Sequence, residues 1–262
     1  MNHVAKRTVS ALATATAVVL AMIYLPLSAV VPAMIVLVAL VHLEFQLMVG
    51  RRHETMTTLG IVIGAALMIA VAYRGPIGKA GALVAGAAFL ATWAAALFGR
   101  YRAPLVAMGT TLLGVVYIPF MLSFFVKIPL EYGITALLYT VAIVKISDMG
   151  GFAFGMALGR HKLCPSISPG KSWEGLAGSV FASMLISALF MPLTHFGLGK
   201  SLALGAAAAL VGTFGDLVES RFKRECGVKD SATFMPAGLG GLLDMFDSLV
   251  FAPAVLYPFL AA

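Results

Sequence analysis

Two short stretches late in the chain, "GDLVES" and "DMFDS", carry Asp216, Glu219 and Ser220, and then Asp244, Asp247 and Ser248, at positions i, i+3 and i+4. On a helix that spacing sets two carboxylates and a hydroxyl on one face. If the two helices pack together, hard oxygen ligands from each meet around a divalent cation. Mg2+ favours one or two carboxylates together with water and phosphate oxygens, so two Asp, one from each helix, suffice. The plain alternative is a solvated helix end with Glu219 paired to Lys223 at i+4. It suits Glu219 and Glu225. It suits Asp244 and Asp247 poorly, because the apolar run "LVFAPAVLYPFL" follows them with no neighbouring cation.

Positive charge lies between the two carboxylate sets. Arg221, Lys223, Arg224 and Lys229 precede "PAGLGG", whose Gly240 and Gly241 offer bare backbone just ahead of the last helix. Glycines before a helix N-terminus let N–H groups approach a phosphate, and the helix dipole adds to the attraction. An earlier stretch, "SDMGGFAFGMALGRHKLCPSISPGKSWEG", places Asp148 in a glycine-rich helix and then Ser168, Pro169, Lys171, Ser172 and Glu174 in a loop. Lys171 beside Ser172 makes a triphosphate contact. The full GxxxxGK[ST] pattern is absent and no strand precedes it, so this is not a P-loop. Gly151, Gly155 and Gly159 have the small-xxx-small spacing of close helix packing, with substrate approach as the equal alternative.

These residues must be held by membrane helices. Hydrophobic residues make up 61% and charged residues 11% of the 262, and the apolar runs are apolar all round. The expected architecture is an all-α polytopic membrane protein of about nine transmembrane helices, over 11–25, 30–49, 58–73, 80–99, 104–126, 132–158, 176–197, 201–219 and 241–260. Residues 1–29 also fit a signal peptide, but a second apolar run follows at once and favours a helical hairpin. With the N-terminus cytosolic, thirteen Lys and Arg fall in cytosolic loops and four on the opposite side, as the positive-inside rule requires; Lys145 is left within a helix. The polar loops 159–175 and 220–240 then share the cytosolic face. The chain reads as one transmembrane domain, 1–262, with N-terminal helices to 130 and catalytic helices over 131–262.

The net charge of +7 fits this topology and an attraction for anionic headgroups or nucleotides; no groove-reading module suggests nucleic acid. Cys164 and Cys226 lack metal spacing and read as reduced bystanders, and the five histidines are scattered. Only Glu44, Glu54 and Glu131 among the acids precede Asp148, which points to function in the last 115 residues.

The run from "GDLVESRFKRECGVKDS" through "GGLLDMFDS" resembles the signature of phosphatidate cytidylyltransferases, and "DMGGFAFGMALGR" with "SPGKSWEG" resembles that family's preceding region. The likeness covers residues 145 to 255 in the right order. It implies transfer of the cytidylyl group of CTP to phosphatidic acid, giving CDP-diacylglycerol and pyrophosphate, with Mg2+, often as a homodimer in a bacterial inner membrane with the lipid bilayer as its medium. By this resemblance Asp216 and Asp244 are the foremost metal ligands, with Asp230, Asp247, Ser220, Lys223, Arg224 and Lys229 close to metal or substrate. The family's PGHGG followed by xxDR is altered here: one residue is added, Leu239 takes the His position and Met245 the Arg position. A secondary transporter with buried carboxylates and a catalytically inactive family member are the alternatives. A CDP-alcohol phosphotransferase is excluded, since no Asp-Gly pair occurs.

Overall fold

In hydrocarbon a backbone must satisfy its own hydrogen bonds, so the apolar runs have to form helices. The computed structural model describes residues 24–74, 79–231 and 241–261. Helices α1 (Leu27–Val49), α2 (Thr57–Arg74), α3 (Lys79–Phe98) and α4 (Pro104–Val115) come first. A π-helical turn, Val116–Phe120, then leads into α5 (Met121–Leu158). The 55 helical residues from Pro104 to Leu158 would extend about 80 Å at 1.5 Å per residue, enough for two passes of a ~30 Å hydrocarbon core. Gly133, at φ 81° and ψ 170°, breaks that run.

A short antiparallel hairpin follows, β1 (Lys162–Cys164) with β2 (Ser168–Ser172), Lys162 opposite Ser172 and Cys164 opposite Ser168. The chain continues through α6 (Trp173–Leu189), α7 (Met191–Thr194) and α8 (Leu198–Glu225). It ends in α9 (Leu242–Phe246), a 3-10 turn (Asp247–Leu249), α10 (Ala252–Leu256) and a last 3-10 turn (Tyr257–Phe259).

The architecture is that of an all-α membrane protein. Among the described residues, four helical stretches are long and apolar enough to cross a membrane: Leu27–Val49, Pro104–Leu158, Leu198–Glu225 and Leu242–Phe259. Thr57–Ala72, Ala85–Phe98 and Trp173–Leu189 are shorter apolar helices. The expected run 11–25 lies outside the described residues.

Three segments differ from the sequence expectation. The loop 159–175 contains the hairpin, pinned where the Trp173 N–H donates to the His161 carbonyl at 2.9 Å. His161 Nδ1 also lies 2.6 Å from Glu174 Oε1, so His161 has the plain loop role expected of it. The loop 220–240 begins late, because α8 runs on to Glu225. Glu219 and Lys223 pair at i+4, and Lys223 and Arg224 suit the negative end of the helix dipole. The run 241–260 is a chain of short turns, since Pro253 and Pro258 bring no N–H to a continuing helix.

Helix α5 packs along α6, and α6 along α8. Gly151 and Gly175 permit the first contact: a Cβ on Gly175 would stand 2.9 Å from the Gly151 carbonyl oxygen. The core joins Val41 and Phe45 of α1, Ile118 of the π turn, Leu122, Ile143 and Val144 of α5, Ala208 of α8 and Leu243 of α9. Leu97, Leu105, Phe152, Phe181 and Leu189 point outward, more than half exposed, as a lipid-facing surface requires.

In the α1–α2 connection, Glu54 accepts from the Arg102 and Ala103 N–H groups at 3.0 and 2.7 Å, at the start of α4. The Ala103 N–H, then that of Arg102, holds this carboxyl below its ordinary value of 4.5. A depressed folded value adds stability above the ordinary one and loses it as pH falls through the folded one. Glu54→Gln should therefore melt below the parent protein in detergent at pH 7, and the two melting temperatures should converge as the pH is lowered below 4.5. A gap that stayed constant with pH would show that charge at Glu54 has no part in it.

Candidate active site

A cavity of about 620 Å³ opens between α5, the hairpin, α6, α8 and the C-terminal turns. Its charged lining is Lys145 and Asp148 from α5, Lys171 from β2, Asp216 from α8, Asp244 from α9 and Asp247 from the following 3-10 turn. Ser168 and Ser172 of the hairpin also line it. Ser172 is there because it caps α6, accepting the Gly175 N–H at 3.1 Å.

Helix α8 comes unusually close to the C-terminal turn. A Cβ on Gly215 would stand 2.5 Å from the Asp247 carbonyl oxygen, so only glycine allows the approach. The approach brings one oxygen each of Asp216, Glu219 and Asp247 within 4.8 Å of one another. Three hard oxygens at that separation suit a divalent cation. Glu219 is fully buried. Lys223 Nζ stands 3.0 Å from its Oε2.

Three lysines hold the acids in place. Lys223 Nζ also donates to Asp244 Oδ1 at 2.8 Å and so bridges α8 to α9. Lys171 Nζ lies 2.6 Å from Asp216 Oδ2 and donates to the Thr213 carbonyl at 3.2 Å. Lys145 Nζ donates to the Met245 carbonyl and to Ser248 Oγ, each at 3.0 Å, with Asp148 Oδ2 at 3.5 Å. Ser248 Oγ donates to the same Asp148 oxygen at 2.8 Å. Asp148, Asp216, Glu219, Asp244 and Asp247 thus stand among three ammonium groups. This donor set and charge fit Mg2+.

The sequence expectation is met unevenly. Asp216 and Asp247 meet, but the third member of their cluster is Glu219, where Asp244 was expected. Asp244 shares the cavity wall and is occupied by Lys223 and by the backbone N–H groups of Gly241 and Ser231, at 2.6 and 3.3 Å. Ser220 Oγ donates to Asp216 Oδ1 at 3.4 Å. Arg224, Lys229 and Asp230 are exposed at the end of α8 and beyond it, outside the cavity lining. Gly240 lies outside the described residues.

Three residues were not anticipated. Lys145 was left unassigned, although a lone cation inside a membrane helix is itself a signal. Glu44 of α1 is fully buried and accepts the Leu243 N–H at 2.8 Å. Tyr117 of the π turn packs against Phe45, Phe222 and Phe251, with its buried hydroxyl in electrostatic reach of Glu219, Asp247 and Asp216. Both Glu44 and Tyr117 come from the half of the chain expected to be scaffold.

Residues 5–262 match the model of the cytidylyltransferase family. The chain belongs to that family. Among its relatives, a phosphatidate cytidylyltransferase of Staphylococcus aureus (strain COL) is 40% identical over 147 residues, covering 55% of this chain and 56% of the relative. One of Bacillus subtilis (strain 168) is 35% identical over 161 residues, 59% and 58% of the two chains. One of Haemophilus influenzae is 39% identical over 127 residues, 46% and 44%. The aligned part thus spans about half the length of these relatives.

The bridge between α8 and α9 makes a direct demand on Lys223. Lys223→Met should destabilise the protein by about 3–5 kcal/mol, because it strands Glu219 and Asp244 without their shared cation. Reversible unfolding in mixed micelles measures it. Stability equal to the parent would mean that the bridge contributes nothing to the fold.

Proposed function

We propose that this chain transfers the cytidylyl group of CTP to phosphatidic acid, giving CDP-diacylglycerol and pyrophosphate. It does so from a multi-pass position in a bacterial plasma membrane, with the cavity facing the cytosol and residues 1–262 acting as one transmembrane unit, paired as a homodimer. Family membership supports this, as do the phosphatidate cytidylyltransferases among the relatives. The observation that carries it is the Asp216, Glu219 and Asp247 oxygen cluster at a cavity that Asp216 and Asp247 line together with Lys171 and Lys145.

The chemistry follows from charge. A phosphate monoester has its second pKa near about 6, so the lipid phosphate is largely a dianion and attacks the α-phosphorus of CTP without a strong base. The new P–O bond forms as the bond to the β-phosphate oxygen breaks, and pyrophosphate leaves. The protein must align the two anions and offset their repulsion. Asp216, Glu219 and Asp247 would hold the Mg2+, with Asp244 beside them keeping Lys223 in place. Bound there, Mg2+ would supply charge neutralisation at the phosphates of CTP. Lys171 swings between Asp216 and a phosphate oxygen, and Lys145 faces the same space from α5. Ser168, Ser172 and Ser220 offer hydroxyls, while Arg224, Lys229 and Asp230, with Gly241, border the cytosolic approach of the triphosphate. The apolar wall of Phe152, Met156 and Leu176 suits the acyl end of the lipid.

Purified protein in detergent with labelled CTP, phosphatidic acid and Mg2+ should yield a lipid-soluble nucleotide. Asp216→Asn and Asp247→Asn should each cut turnover by about 100-fold or more while the protein stays folded. No product from the parent protein would overturn the reaction; near-parent rates in both variants would remove the cluster from it.

Orientation is tested separately. With Cys164 and Cys226 replaced, single cysteines at Lys171 and Lys229 should be labelled from the cytosolic side, and one at Lys200 from the other. Labelling of 171 and 229 from opposite sides would break the shared-site reading.

A further inference from the structure

Helix α1 carries a single charged residue in its 23, Glu44, and it is fully buried. A carboxylate costs free energy inside a membrane helix, and an apolar side chain would pack α1 more cheaply. What Glu44 does is specific. Its Oε2 accepts the Leu243 N–H at 2.8 Å. Both of its oxygens press on Gly241, where a Cβ would stand 2.7 and 2.8 Å from them. Its carboxylate therefore sits on the first turn of α9, at the positive end of that turn.

Helix α9 has only five residues, and its N-cap, Gly241, has no side chain. A helix so short does not hold its own register. Its height and rotation come from what it is tied to. The Gly241 N–H is taken by Asp244 Oδ2, within α9's own first turn. Lys223 grips Asp244 from α8, and Glu44 grips Leu243 from α1. The same one and a half turns carry Asp244 and lead into Asp247.

We infer that Glu44 is a positioning residue: by accepting the Leu243 N–H and bearing on Gly241, it sets α9 so that Asp244 meets Lys223 and Asp247 meets Asp216 and Glu219. The inference rests on the metal-site reading of the cavity proposed above. It requires an acceptor oxygen at the right reach and does not require charge. Glu44→Gln keeps a carbonyl oxygen at the same length, Glu44→Asp shortens the reach, and Glu44→Ala removes it.

Mn2+ serves as the metal probe, its binding followed by electron paramagnetic resonance on purified protein in detergent, beside deuterium exchange of the peptide 241–249 and steady-state kinetics. Glu44→Ala should weaken Mn2+ binding by about tenfold or more and raise exchange across 241–249. It should lower kcat by about 100-fold, the cost of a misplaced reacting group, with a much smaller change in KM for CTP. Glu44→Gln should stay within about tenfold of the parent in kcat, the neutral acceptor being the weaker one. Glu44→Asp should fall between. Parent-like Mn2+ binding and exchange in Glu44→Ala would overturn the inference. So would damage in Glu44→Gln equal to that in Glu44→Ala, which would make the charge the working feature. Should Glu44→Ala fail to fold, the order Gln above Asp decides in its place, and the reverse order refutes. A parent protein that binds Mn2+ but makes no lipid nucleotide would sink the proposed reaction and leave this inference standing.

Discussion

The Lys223 ammonium, set between Glu219 and Asp244 at 3.0 and 2.8 Å, is the contact on which the rest of the site depends. In a low-dielectric interior two carboxylates this close would repel strongly, and the cation turns that repulsion into a tie between α8 and α9. Once α9 is held against α8, Asp216 and Asp247 come within reach of each other. Lys171 and Lys145 repeat the device from other directions. One fastens the hairpin to Asp216, and the other fastens α5 to the turn after α9. Each lysine is thus a strut between two elements as well as a counter-charge. The acids outnumber these lysines, which suits a site for a divalent cation.

Apolar packing sets how closely the struts can act. Gly215 lets α8 reach the Asp247 backbone, and the glycines of α5 and α6 let the hairpin come down over the cavity. Beneath the acids, Tyr117 packs against Phe45, Phe222 and Phe251, drawn from α1, α8 and the C-terminal segment. Pro119 sits in the π turn that carries Tyr117, and such turns interrupt the regular ladder where a side chain must be re-aimed. The first half of the chain therefore packs behind a site whose lining comes from the second.

Much of this was legible in the sequence, and the failures have physical causes. Two carboxylates at i, i+3 on α8 were readable from spacing alone, and so was the pairing of Glu219 with Lys223. That the same Glu219 also joins Asp216 and Asp247 was not, because one helical face can satisfy both readings. The repeat of the spacing at Asp244 and Asp247 brings both acids to one cavity wall, where Asp244 is taken by Lys223 and Asp247 lies with Asp216 and Glu219. The strand "SPGKS" has neither alternation nor β-branched residues; cross-strand pairing makes it, and no local signal announces it. Lys145 and Glu44 find their partners 100 and 199 residues away, a distance that no motif spans.

The departure at Met245 takes on a different meaning in three dimensions. Its side chain is 42% exposed and is not part of the cavity lining, while its backbone carbonyl accepts from Lys145. An arginine at 245 would have to fold back around α9 to reach the acids. Lys145, rising from α5 on the same side, already holds an ammonium against Ser248 and beside Asp148. The wall next to Asp244 therefore keeps a cation although the residue after Asp244 is apolar. The charge that motif reading looks for at one position is carried by a helix a hundred residues earlier.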